Sequence, residues 1–200
     1  MGPLVLIDNY DSFVHTLAHL FLAEGCPVEI IRHDVESGED ILVRRPRGLV
    51  LSPGPKGPQD TGVCLDLLRL SPDTLPILGI CLGHQVISAA FGASVRPTRP
   101  CHGQAHIIHH DNSRILVDLP NPFPAARYHS LAAHDDTPWP ADLRVTARVA
   151  DGPDAGAIMA LEHRHRPLFG LQFHPESFMT PGGTLIAKRF LAITETCRAL

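Results

Sequence analysis

No apolar run in the 200-residue sequence approaches the length of a membrane span, so no membrane-embedded segment is expected. Charge of one sign is equally scarce. The net charge is only -4, with no basic or acidic block, which argues against a polyanion partner such as nucleic acid. The five cysteines (Cys26, Cys64, Cys81, Cys101 and Cys197) form no CxxC pair and are odd in number, so neither a disulfide framework nor a zinc site is indicated. Low-complexity tracts, internal repeats and a linker long enough to separate two domains are also missing. Met1 to Leu4 carries no charged leader region and no cleavage site, and a cytosolic location is expected. What remains is 44% hydrophobic and 19% charged, which suits one globular domain over residues 1–200 with a sizeable core.

The apolar residues alternate between strand-like and helix-like stretches through the first ninety positions. Leu4 to Ile7 is a continuous apolar run of the kind found in strands buried on both faces. A helix is expected from about Phe13 to Ala23, capped by Asp11 or Ser12, with Phe13, Leu17, Leu20 and Phe21 as its apolar stripe and Gly25 as its stop. Pro27 to Ile31 and Gly48 to Ser52 are further strands, a helix runs from about Val63 to Leu70, and Ile77 to Ile80 is a fourth strand. This alternation predicts an α/β fold, a mainly parallel sheet with helices on both faces, in which chemistry collects at the C-terminal ends of the strands. The loops after Ile7, after Ser52 and at Cys81 should then share one edge.

Beyond Phe91 proline becomes more frequent and the apolar runs shorten: Ile107-Ile108, Ile115 to Val117, Leu143 to Ala147, Ala157 to Leu161 and Leu168 to Phe173. These predict a mixed or antiparallel extension of the same sheet. A last amphipathic helix spans about Thr184 to Thr194, with Leu185, Ile186, Phe190 and Ile193 available to the core.

Gly79-x-Cys81-x-Gly83, between the fourth strand and a helix expected from His84 to Phe91, has the spacing of a nucleophile elbow. Small residues on either side let strand and helix approach closely around a strained turn that exposes the sulfur. The first amides of the helix then favour negative charge there and offer donors to a developing oxyanion. The competing reading is that Cys81 is one more small buried hydrophobe. A second chemical stretch, Gln172-Phe173-His174-Pro175-Glu176, directly follows an apolar strand. A thiol nucleophile needs a base and the base needs an orienting acceptor. His174 and Glu176, two apart on an extended segment stiffened by Pro175, supply both on one side. Taken alone, His174 is equally a satisfied histidine at a strand end.

With these stretches in view, the chain resembles the class I (triad) glutamine amidotransferases over nearly its whole length. Gly79 to Gln85 resembles the family's nucleophile motif, Ser52-Pro53-Gly54-Pro55 its oxyanion loop and Gln172 to Glu176 its His/Glu motif. Ile7 to Phe13 and Arg127-Tyr128-His129-Ser130-Leu131 are similar to the glutaminase subunits of anthranilate synthase and aminodeoxychorismate synthase. The resemblance implies a flavodoxin-like fold and a Cys81, His174, Glu176 triad that hydrolyses L-glutamine. It further implies an oxyanion hole at the amides of Gly54 and Leu82, beside Pro55, with glutamine held by Gln85 and the backbone around Ser130 and Leu131. Ammonia would pass to a separate chorismate-binding synthase subunit, giving anthranilate or 4-amino-4-deoxychorismate, and no metal or cofactor is implied in this chain. The alternatives are a stand-alone cysteine hydrolase of γ-glutamyl amides and a non-catalytic regulatory subunit. Two positions depart from relatives: Lys56, where a glycine, cysteine or asparagine is frequent, and Gln104 in Cys101-His102-Gly103-Gln104, where a lysine is common.

The remaining polar clusters have plainer readings. His106, His109 and His110 belong to a strand, and His163 and His165 to a solvated edge or hairpin, in preference to metal sites. His129 is expected as a structural loop residue. Asp8 and Asp11 serve helix capping, and Arg44, Arg45 and Arg47 a solvated loop.

Overall fold

The structure is a computed structural model that describes residues 2–197. Its centre is a nine-stranded sheet in the order β2-β1-β3-β4-β9-β8-β7-β5-β6. Strands β1 (Leu4–Asp8), β2 (Val28–Arg32), β3 (Gly48–Leu51), β4 (Ile77–Ile80) and β9 (Leu168–Leu171) run parallel. From β9 outward the pairing turns antiparallel through β8 (Ile158–His163), β7 (Leu143–Val149), β5 (Ser94–His110) and β6 (Phe123–His134).

The apolar runs are continuous because each strand feeds two cores. Along β1, Leu4 and Leu6 face one core while Val5 and Ile7 face the other; in β3 Val50 opposes Leu49 and Leu51. The first core is covered by α1 (Val14–Leu22) and α5 (Gly183–Thr196), through Leu17, Phe21, Ile186 and Phe190. The second is covered by α2 (Gly38–Val43), α3 (Val63–Leu70) and α4 (Leu82–Ala90), through Ile41, Leu67, Val86 and Ile87. The expected α/β architecture, with a parallel centre and an antiparallel extension, is thus observed.

Several local expectations are corrected. Phe13 lies outside α1 and is 46% exposed; Val14 takes its place in the buried stripe, and no side chain caps α1, the Asp11 carboxylate accepting the Phe13 amide at 2.9 Å in the turn before it. Helix α2, unforeseen, is started by Ser37, whose hydroxyl accepts the Asp40 amide. Ile115 to Val117 is no strand. The segment coils through successive i to i+3 turns (Leu116 N–H to Ser113 O, Leu119 N–H to Leu116 O), which drop Ile115 and Leu116 into the first core without any ladder. Leu185 stays partly outside α5's buried face.

Arg47 is not on a solvated loop. Its side chain is 7% exposed and donates to Thr194 Oγ1 at 3.1 Å and Glu195 Oε1 at 3.3 Å, tying α5 to the start of β3. Arg44 does lie at the surface, between Glu29 and Glu36. Among the described residues no helix is long and apolar enough to cross a membrane.

Candidate active site at the C-terminal edge of the parallel strands

The loops after β1 and β3 and the corner after β4 meet at one edge, as the alternating pattern requires. Cys81 stands alone between β4 and α4 at φ 51°, ψ -99°, a conformation unfavourable for a residue with a β-carbon. It is held there by its amide, which donates to Leu171 O at 2.7 Å, and by its carbonyl, which accepts the Gln85 amide at 3.1 Å. The flanking glycines have steric reasons to be glycine: a β-carbon on Gly83 would overlap the Leu51 carbonyl, and one on Gly79 would overlap the backbone of Gly83. The helix therefore begins at Leu82, two residues earlier than the sequence suggests. The sulfur is less exposed than expected: the residue is 5% accessible and borders a cavity of about 200 Å³.

That cavity gathers the whole expected oxyanion and substrate set. Gly54, Pro55, Leu82, Gln85, Ser130 and Leu131 all line it together with Cys81. The Ser52 to Gly54 loop is fixed by Asn9, whose amide donates to Ser52 Oγ and whose side-chain amide donates to Ser52 O, both at 2.9 Å. Gly54 lies so close that an added β-carbon would sit 2.5 Å from Asn9 O. Lys56, exposed and at φ 69°, forms the outer lip of the cavity. Gln104 is exposed on β5, near Cys101.

His174 and Glu176 leave the end of β9 on the same side, and His174 Nδ1 meets Glu176 Oε1 at 2.6 Å with both side chains buried. The His174 amide donates to Ala126 O at 3.0 Å, which anchors this segment on β6. Nε2 makes no hydrogen bond to a described residue. Burial alone would push this imidazole down; the neighbouring Cys81 sulfur and Glu176 outweigh it and raise it to about 10. An imidazolium poised beside a sulfur nucleophile can protonate a departing amine. A second, more apolar cleft of about 240 Å³ opens on His174 and Glu176 between Phe13, Tyr128 and Phe178.

Two contributors escape sequence reasoning. Gln172 Nε2 donates to Cys81 Sγ at 3.6 Å, and its Oε1 accepts Gln85 Nε2 at 3.1 Å. Gln85 Nε2 also donates to Leu131 O at 2.8 Å, so of its amide atoms only Oε1 is left for a ligand. Gln172 is visible in the sequence as the first residue of its motif, yet an amide carries no spacing signal that would aim it at a cysteine 91 positions away. Asn9 reads in the sequence only as part of a loop.

Three further histidines are buried and hydrogen-bonded. His129 is on β6 rather than in a loop, buried, with Nδ1 against Leu131 O at 2.9 Å. His110 is buried against Pro120 O and the Asn112 amide. His163 is buried too and accepts the amides of His165 and Arg166, which closes the β8–β9 hairpin. Among the described residues no group of three His, Cys, Asp or Glu is placed to hold a metal ion.

Burial pushes the fully enclosed His84 down to about 4, and burial followed by the Arg127 charge pushes His129 down to about 3. Both are neutral when folded and protonate near 6.5 when unfolded, so the unfolded chain gains protons first as pH falls. Each therefore removes stability below about pH 6.5, roughly 2 kcal/mol by pH 5. His174 has the opposite sign: its contribution is fully present below the unfolded value and is lost as pH rises toward about 10. Urea unfolding at pH 7 and pH 5 should show the acid loss, and His84→Leu should remove about half of it. An unchanged acid loss in that variant would mean that His84 is not one of the responsible groups.

A family model described as "Glutamine amidotransferase class-I" matches residues 5–193. The chain is 44% identical over 194 residues to anthranilate synthase component 2 of Azospirillum brasilense, covering 96% of each. It is also 44% identical to anthranilate synthase component 2 of Methanothermobacter thermautotrophicus, covering 96% of this chain and 99% of the relative. Among solved structures, a Thermoplasma acidophilum protein named for GMP synthase superposes with a TM-score of 0.85 at 25% identity, covering 100% of this chain and 97% of that one. The strained cysteine corner and its cavity thus sit in a chain that belongs to the class-I glutamine amidotransferase family.

Proposed function

We propose that this chain is the glutaminase subunit of a chorismate-aminating complex, with Cys81, His174 and Glu176 as its triad. The observation that carries the reading is the single cavity that brings the elbow cysteine together with Gly54, Leu82, Gln85, Ser130 and Leu131. Cys81 sulfur attacks the side-chain amide carbon of glutamine, and the resulting oxyanion accepts hydrogen bonds from the amides of Gly54 and Leu82, roughly 3 kcal/mol of barrier per donor. As the tetrahedral species collapses, the C–N bond breaks and His174 gives its Nε2 proton to the leaving nitrogen, which departs as ammonia. The γ-glutamyl thioester is then attacked by water, which loses its proton to His174, and glutamate leaves as the sulfur is regenerated. Glu176 accepts the Nδ1–H throughout and stabilises the imidazolium.

The ammonia goes to a synthase subunit that holds chorismate. The names of the relatives favour anthranilate as the product over 4-amino-4-deoxychorismate. A partner on this face also accounts for the cleft beside His174, whose wall includes Phe178, a side chain 90% exposed. The five unpaired cysteines suit a cytosolic setting.

Glutamate release and aminated product should be followed together, for the purified chain alone and with anthranilate or aminodeoxychorismate synthase subunits plus chorismate. Hydrolysis that is weak alone and rises at least about tenfold with one synthase supports the reading and names the product. Strong hydrolysis that no synthase alters overturns it in favour of an independent hydrolase.

A further inference from the structure

Arg127 carries one of the most deeply buried charges of the protein, at 1% exposure, and the triad does not use it. Its Nη1 donates to Asp154 Oδ2 at 2.9 Å, and its Nε donates to His129 Nε2 at 3.1 Å. A guanidinium has donors only, so the His129 nitrogen facing it must be the bare one, and the ring proton must sit on Nδ1. Nδ1 is the atom 2.9 Å from Leu131 O. The same carbonyl accepts Gln85 Nε2 at 2.8 Å, so both of its lone pairs are engaged.

The sheet cannot supply that fixation. Pro97 stands opposite Leu131 in the β5–β6 ladder and has no N–H to give, and the register slips between Pro97 and Cys101. The peptide that walls the glutamine cavity therefore lies where the ladder is interrupted, and side chains hold it instead.

We propose that Arg127 and His129 are positioning residues for the glutamine pocket: Arg127 locks His129 in its Nδ1–H tautomer, and His129 fixes the Leu131 carbonyl that orients Gln85 and the Ser130–Leu131 wall. The inference rests on the glutaminase reading above. Neither residue carries a proton in the reaction. With the opposite tautomer, a bare Nδ1 would face the carbonyl oxygen, lone pair against lone pair, and the wall would lose its tie. Asp154, on the β7–β8 connection, neutralises the arginine and keeps its fork aimed at the ring.

The tautomer is read directly by two-bond ¹H–¹⁵N correlation of the full chain at pH 7. The Nδ1–H form is expected for His129, and a mixture with the Nε2–H form in Arg127→Met. An Nε2–H ring or an imidazolium in the native chain overturns the proposal, whether or not any variant folds and whether or not glutamine is hydrolysed. In glutamine kinetics with the synthase present, His129→Asn, whose side-chain amide reaches the place of Nδ1–H, should keep KM within about threefold. His129→Leu should raise KM about tenfold or more with kcat changed by less than about threefold. A native KM in His129→Leu, or equal losses in both variants, overturns the proposal. Absence of hydrolysis in the native complex would instead remove the glutaminase reading, with the tautomer measurement still deciding the lock itself.

Discussion

Cys81→Ser is expected to lower glutamine-dependent amination by the complex by about 1000-fold or more, while amination driven by added ammonia stays near native. In cysteine hydrolases generally the thiolate is the reactive form, and an imidazole can share a proton with sulfur far more readily than with an alcohol oxygen. The substitution keeps the corner itself: serine fills nearly the same volume, and the amide to Leu171 O and the carbonyl to Gln85 N–H are backbone bonds that any residue makes. Nor should a partner surface be disturbed, because residue 81 is 5% exposed. The paired assay separates chemistry from assembly. Loss of both activities in a complex that still assembles would sink the assigned role of Cys81, since ammonia bypasses the glutaminase step entirely.

The second large effect is structural. Gly83→Ala should destabilise the fold by about 3 kcal/mol or more and abolish glutamine hydrolysis in whatever fraction stays folded. The new β-carbon would overlap the Leu51 carbonyl oxygen and press on the Leu51 side chain and backbone. Leu51 ends β3 and leads into the Ser52 to Gly54 loop, so relief of the clash moves that loop away from the elbow. Backbone meets backbone there, and no flexible side chain can give way. Gly92→Ala is the control, since Gly92 has a positive φ of 92° but nothing within 4 Å of an added β-carbon. That change should cost only about 1 kcal/mol of backbone strain. Urea midpoints of the two variants measured together test the argument. A Gly83→Ala protein within about 1 kcal/mol of the native one would show that strand and helix are not packed at the limit of a hydrogen atom.

Much of the site was legible because its chemistry is local. The Gly79-x-Cys81-x-Gly83 spacing states a corner, and the structure supplies the positive φ at Cys81 and the close contacts at both glycines. His174 and Glu176, two apart around a proline, needed only an extended backbone to pair. The parallel centre was legible for a similar reason: Leu4 to Ile7 is apolar at every position, and only a strand buried on both faces tolerates that.

The antiparallel extension was harder. β5 carries Pro97, Pro100, Arg96 and Arg99 within a span of half-buried and exposed residues, and from its own residues only Ile107-Ile108 looked strand-like. It is a strand because β6 lies beside it, and no periodicity within β5 records that neighbour. Phe13 and Arg47 also reversed their expected burial, the first for a local reason and the second for a distant one. A one-residue difference in where α1 begins turns Phe13 outward, and α5 arrives 147 positions later to enclose Arg47 through Thr194.

The sequence by itself therefore determined the alternating parallel core, the strained corner that presents one cysteine, and the histidine–glutamate pair: the corner and the pair are set by steric and hydrogen-bonding rules acting between near neighbours, and the core by strands and helices that alternate along the chain. Only the tertiary structure decided that Gln172 reaches Cys81, that Gln85 meets both Gln172 and Leu131, and that Arg127 dictates the proton on His129. Those contacts depend on which strands become neighbours and in what register, a choice made by the burial of two whole cores and written in no single stretch of the chain.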